Sequence, residues 1–154
     1  MLLPHDADVP FGLGVALEQR GDPAAAEQAY GAALALDPTH PEAHFNLGAL
    51  LASSGQLAEA RAHFALAVRH RPDFTAAYLA IALLAEQAGD WPAALAAARH
   101  AATLAPREPE PHYRLGNALA ATGDAAGAVR EWQAARALHG DFPDLAAKLA
   151  AGTN

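Results

Sequence analysis

Histidine is the side chain in this sequence best suited to chemistry, with eight among 154 residues; it titrates near neutral pH and ligates metals. His40 and His44 stand four apart, the spacing at which one helical face presents two imidazoles to a zinc ion. Pro41 between them marks a helix start, so the two do not share such a face. His63, His70, His100 and His139 are scattered, and all read as surface or packing groups. Serine occurs only as Ser53-Ser54 in a turn, with no His or Asp at the spacing of a nucleophilic triad. Gly12-Leu13-Gly14 lies within a helical pattern and not between a strand and a helix, so it is no phosphate cradle. The absence of cysteine excludes disulfides, thiolate metal sites and a Cys nucleophile. The reading is a chain that is not an enzyme, with no catalytic residue, no metal site and no cofactor.

The elements that position these side chains recur. Gly21, Gly55, Gly89 and Gly123 follow one another at a constant interval, and Leu13, Leu47, Ile81 and Leu115 keep the same period. A small residue follows each of the latter: Gly14, Gly48, Ala82 and Gly116. Next come Ala26, Ala60, Ala94 and Ala128, then a bulky slot holding Tyr30, Phe64, Ala98 and Trp132. Pro38, Pro72 and Pro106 close the first three units, with Gly140 in the fourth. Glycine, leucine and proline agreeing on one period mark an internal repeat. The units are 7–40, 41–74, 75–108 and 109–142, after a flexible N-terminus at 1–6 and before a tail at 143–154.

This pattern resembles the tetratricopeptide repeat, whose fingerprint sets Leu-Gly, Ala, an aromatic and Pro at fixed offsets across a period of about 34 residues. The second unit carries it as His44, Leu47-Gly48, Leu51, Ala60, Phe64 and Pro72, with His and Leu in two aromatic slots. The resemblance implies an all-α fold, an α-solenoid of antiparallel helix pairs wound as a right-handed superhelix. Such an array of this length is expected to be one cooperative unit or close to it.

Local signals place the helices. The first is expected to begin near Asp8 as cap with Pro10 in its first turn, and the second at Asp22-Pro23. In repeat two, helix A is expected from about Glu42 to Ser53 and helix B from about Leu57 to Arg71. Gly48 there allows close approach against Ala60 and Ala67, and Gly55 supplies a positive φ for the turn. Asp90 and Asp124 cap the later second helices. Trp91 is expected to fill part of the space that Ala98 leaves, and Trp132 reads as a packing residue. Pro143 to Ala151 forms a short amphipathic capping helix with Leu145 and Leu149 on one side and Asp144 and Lys148 on the other, ended by Gly152.

The formal charge is −7, and residues 1–40 carry most of it: Asp6, Asp8, Glu18, Asp22, Glu27 and Asp37 against Arg20. A nucleic-acid binder needs the opposite balance. No apolar run reaches the ~20 residues of a membrane span, so membrane insertion is not expected. The start MLLPHDADVP has no basic segment and no apolar core of a signal peptide, and the expected location is cytoplasmic.

The resemblance also implies a partner: another protein, held as a peptide or amphipathic segment on a concave face lined by the first helix of each repeat. Carried over position by position, the peptide-binding residues are Phe11 and Val15, then Phe45, Asn46 and Ala49, then Leu79 and Leu83, then Tyr113, Arg114 and Asn117. The carboxylate clamp of chaperone adaptors is not among the expected ligands. Its positions fall on Phe11, Val15, Asn46, Ala76 and Ala80, or on Phe45, Ala49, Ala80, Glu110 and Arg114, one match in either frame. Two other readings remain open: a substrate-recruiting region of a larger transferase, and a homo-oligomer joined through the uncapped first repeat.

Overall fold

A computed structural model of the protein describes residues 6–152. Among them are nine α-helices: α1 (Asp8–Gln19), α2 (Pro23–Leu36), α3 (Pro41–Ser53), α4 (Leu57–His70), α5 (Thr75–Gln87), α6 (Trp91–Leu104), α7 (Pro109–Ala121), α8 (Ala125–Ala137) and α9 (Leu145–Gly152). They form four antiparallel pairs and a short final helix. The expectation for residues 1–6 falls outside the described residues except at Asp6.

Short-range chemistry sets the ends. Asp22, Asp90 and Asp124 accept the backbone N–H groups of Ala25 (3.1 Å), Ala93 (3.2 Å) and Gly127 (2.8 Å), satisfying donors that an open helix start leaves bare. At α1 the arrangement differs from the expectation. Asp8 is the first helical residue, and Asp6 accepts its N–H at 3.0 Å. The four glycines between paired helices have φ of 71–94°. Just beyond Gly55 the N–H of Gln56 returns to the Leu51 carbonyl at 2.8 Å, the bond that closes a left-handed helix end. Gly152 belongs to α9 and does not follow it as a terminator.

The chain divides into two compact units, residues 1–77 and 78–154, with the division in the first turn of α5. In a stack each pair packs on its neighbours alone, so no common centre gathers the whole chain.

In the first unit α1 packs on α2, α2 on α3 and α3 on α4. The closest approaches follow one rule. A Cβ added at Gly14 would lie 2.5 Å from Tyr30 Cε1, and one at Gly48 would lie 2.9 Å from Phe64 Cε1 and 3.2 Å from the Ala60 carbonyl oxygen. Gly48 thus makes room for the Phe64 ring; Ala67 is not among its nearest neighbours. Tyr30 and Phe64 are fully or almost fully buried.

In the second unit Gly116 does the same for Trp132. Its other pair reverses the allotment of volume: Ala82 and Ala98 are both fully buried in one cluster with Leu115 and Trp132. Where helix B gives up its ring, helix A keeps a Cβ. Trp91 does not occupy that place. It packs instead against a separate cluster of Ala85, Ala94 and Ala118, because its place at the start of α6 is two turns from Ala98, roughly 10 Å along a helix. Leu145 and Leu149 of α9 close this core, 4% and 6% exposed.

Candidate binding face

The residues expected to bind fall into two sets, one in each unit. In the first unit Phe11 and Val15 are half-buried on α1, and Phe45, Asn46 and Ala49 are half-buried on α3. Phe11 lies 5.8 Å from the Tyr30 ring and 4.8 Å from that of His40. Phe45 lies 5.6 Å from Phe64 and 4.9 Å from Phe74. Arg71 in turn stacks on Phe74 at 3.5 Å and pairs with Glu42. Both phenylalanines are therefore held by other rings while part of each faces solvent.

The Tyr30 hydroxyl links the three helices beneath. It donates to Glu18 Oε2 at 2.7 Å and accepts from Asn46 Nδ2 at 3.1 Å. Burial, with the Glu18 carboxylate acting in the same direction, pushes the phenol up to about 12. Asn46, one of the expected peptide-binding residues, thus spends a donor inside the protein.

His40 also works internally. It is buried at the start of α3, where Nδ1 accepts the Ala43 N–H at 3.2 Å and Nε2 meets Asp8 Oδ1 at 3.2 Å. Among the described residues no group of three or more His, Asp or Glu side chains is placed to hold a metal ion.

In the second unit Leu79 is half-buried and Leu83 is 37% exposed on α5. The α7 residues are occupied by the chain itself. The Tyr113 ring stacks on Phe142 at 4.0 Å, with 6° between the planes, and its hydroxyl donates to Asp144 Oδ1 at 2.6 Å. Lys148 donates to the Tyr113 hydroxyl at 2.9 Å and to Asn117 Oδ1 at 2.7 Å, and it pairs with Asp144 at 2.6 Å. The Trp132 indole N–H reaches the same Asn117 oxygen at 3.2 Å. Burial opposes the Lys148 charge, but the bonds to Asp144 and Tyr113 outweigh it and raise its pKa. Lys148 and Tyr113 hold Asp144 below the usual carboxylate range.

Arg114 meets two carboxylates, both from this chain: Glu110 Oε1 at 2.8 Å and Glu86 Oε2 at 3.4 Å. Burial raises the Glu86 pKa against the pull of Arg114 and Lys148. Glu86 and Lys148 were not expected at this face, though the repeat register contains a signal. Lys148 stands one repeat period after Arg114, and Glu86 stands two periods after Glu18. Beside Lys148 an open cleft of about 300 Å³ is lined by Trp91, Asn117, Ala120, Ala121 and Trp132.

Helix pairs recurring at one period, with a small residue facing an aromatic, define a helical-repeat protein, and comparison with known proteins says which kind. Two models of the tetratricopeptide repeat match, over residues 17–86 and 79–144. The chain belongs to the tetratricopeptide repeat family. Its fold is similar to that of YrrB, described as a tetratricopeptide repeat protein with an unusual peptide-binding site (TM-score 0.87, 19% identity, 96% of this chain and 76% of that one). It is also similar to MamA from Desulfovibrio magneticus RS-1 (TM-score 0.84, 19% identity, 96% and 83%). A curated relative, the probable biofilm formation methyltransferase WspC of Pseudomonas putida, is 47% identical over 58 residues. That match takes in 38% of this chain and 14% of the relative's length. No helix among the described residues is long and apolar enough to cross a membrane.

Proposed function

We propose that the protein is a non-catalytic interaction module that holds an extended or amphipathic segment of another protein, with Phe11, Val15, Phe45 and Ala49 of the first unit as its principal contacts; Leu79 and Leu83 are a separate candidate surface of the second unit. The observation that carries this is the support behind the two phenylalanines. A ring fixed by its neighbours and open on one side loses little freedom on binding, which is what makes an aromatic anchor effective. YrrB, of the same fold, is described as having a peptide-binding site. Asn46 and the α7 residues Tyr113, Arg114 and Asn117 act in this reading mainly as supports, since their polar groups are engaged within the chain.

The test is cross-linking capture with the intact protein and with Phe45→Glu, alongside circular dichroism. Loss of the captured protein by the variant at unchanged helicity is expected. Equal capture would move the site off α3.

The short, close match to WspC favours a second reading, in which the repeats recruit substrate to a transferase. A methyltransferase domain on the same polypeptide, with turnover that falls in Phe45→Glu while KM rises, would establish it over the first.

A further inference from the structure

His44 and His63 form a junction between α3 and α4 that the binding face does not use. His44 is 5% exposed. Its Nε2 lies 3.0 Å from the Pro38 carbonyl oxygen, an atom that can only accept, so Nε2 carries hydrogen and the bare nitrogen of the neutral ring is Nδ1. That nitrogen faces His63 Nδ1 at 2.9 Å, which must therefore be the donor. One hydrogen is shared between two nitrogens. A proton added at His63 Nε2 leaves the bond intact, but one added at His44 Nδ1 sets two N–H groups against each other.

We propose that His44 and His63 are an acid-sensitive latch: the helix pair of repeat two closes on one shared hydrogen and is forced apart when both rings are protonated. Four other titratable groups face the pair. From α4, His70 stacks on His44 with ring centroids 6.1 Å apart, and Glu59 acts on His63; His40 acts on His44 from the start of α3, and Asp37 from the turn before it. Burial is the main cause that lowers the pKa of both His44 and His63.

The sign follows from proton counts. The unfolded chain takes up two protons at this pair around the ordinary histidine range, about pH 6.5, and the folded pair takes up at most one. The stabilisation is complete above that range and is lost as pH falls below it, by about tenfold in the folding equilibrium constant per pH unit. The same crossing in the fourth repeat supplies an internal contrast. His112 Nε2 lies 3.1 Å from the Pro106 carbonyl oxygen, but Nδ1 meets the Glu131 carboxylate at 2.7 Å. Because His44 directly precedes Phe45 and Asn46, opening the latch would also loosen the helix that carries Phe45 and Ala49, a consequence that rests on the function proposed above.

The experiment is urea unfolding of the whole chain between pH 8 and 5, for the wild type, for His63→Glu, which copies repeat four, and for His63→Gln, whose amide can turn its oxygen to accept from a protonated His44 Nδ1. The expected result is a loss approaching tenfold per unit below pH 6.5 in the wild type and a clearly shallower slope in either variant. Equal slopes in all three would overturn the proposal. Nitrogen-detected NMR of the wild type decides the matter even if both variants fail to fold. His44 Nδ1 should stay unprotonated at pH 5.5, and its titration as in a short peptide would overturn the latch. Neither readout depends on a partner, so failure here is distinguishable from failure of the binding face.

Discussion

Gly48 and Gly31 both lie inside helices, yet a methyl group added to each should move stability in opposite directions. A Cβ at Gly31 meets nothing within 4 Å, so Gly31→Ala should gain about 0.5–1 kcal/mol from the restriction of the unfolded chain and better helix propensity. At Gly48 the same gain is opposed by the buried Phe64 ring and the Ala60 carbonyl, and overpacking of this kind costs about 1–3 kcal/mol. Gly48→Ala should therefore unfold at lower urea concentration than the wild type, and Gly31→Ala at higher. If both variants were stabilised alike, close packing would not be the reason for Gly48. The pair Ala82 and Ala98 follows from the same geometry, since the space at a crossing can be filled from one helix or shared.

At the scale of the helix, position in the stack outweighs residue type. Leu13, Leu47 and Leu115 occupy the same repeat position, but Leu47 and Leu115 are 8% and 7% exposed while Leu13 is 55% exposed. No helix lies before α1 among the described residues to cover it. Leu47→Ala should accordingly cost about 2–5 kcal/mol, whereas Leu13→Ala should stay within about 0.5 kcal/mol of the wild type, as surface substitutions do. Thermal denaturation of the two variants checks this, and a large loss at Leu13 would mean that α1 is covered in solution. The other end of the array is closed by α9. Its apolar residues Leu145 and Leu149 enter the core while Lys148 gathers Asp144, Tyr113 and Asn117. One short helix thereby closes the core and engages Tyr113 and Asn117 from within the chain.

For the whole molecule, charge and periodicity act at different ranges. Six acids against one arginine in residues 1–40 repel one another through solvent, a destabilisation that salt screens. The melting temperature should rise modestly from about 10 to 150 mM sodium chloride; a fall would show that ion pairs such as Arg71–Glu42 outweigh the net repulsion. Much of the architecture was legible before any coordinates. The glycine period located the turns, because a tight left-handed turn admits few other residues, and Asp22, Asp90 and Asp124 marked helix starts through contacts with the backbone just ahead. Such rules are local, and local chemistry is written in order along the chain. What only the tertiary structure decided were meetings between distant residues. His44 finds His63, Trp91 packs away from Ala98, and Asn46, Arg114 and Asn117 are engaged from within. The contacts within the chain group into two units, and each helix pair is satisfied through its neighbours. Which side chain meets which across a helix crossing depends on rotation and distance in space, and a repeat register records neither.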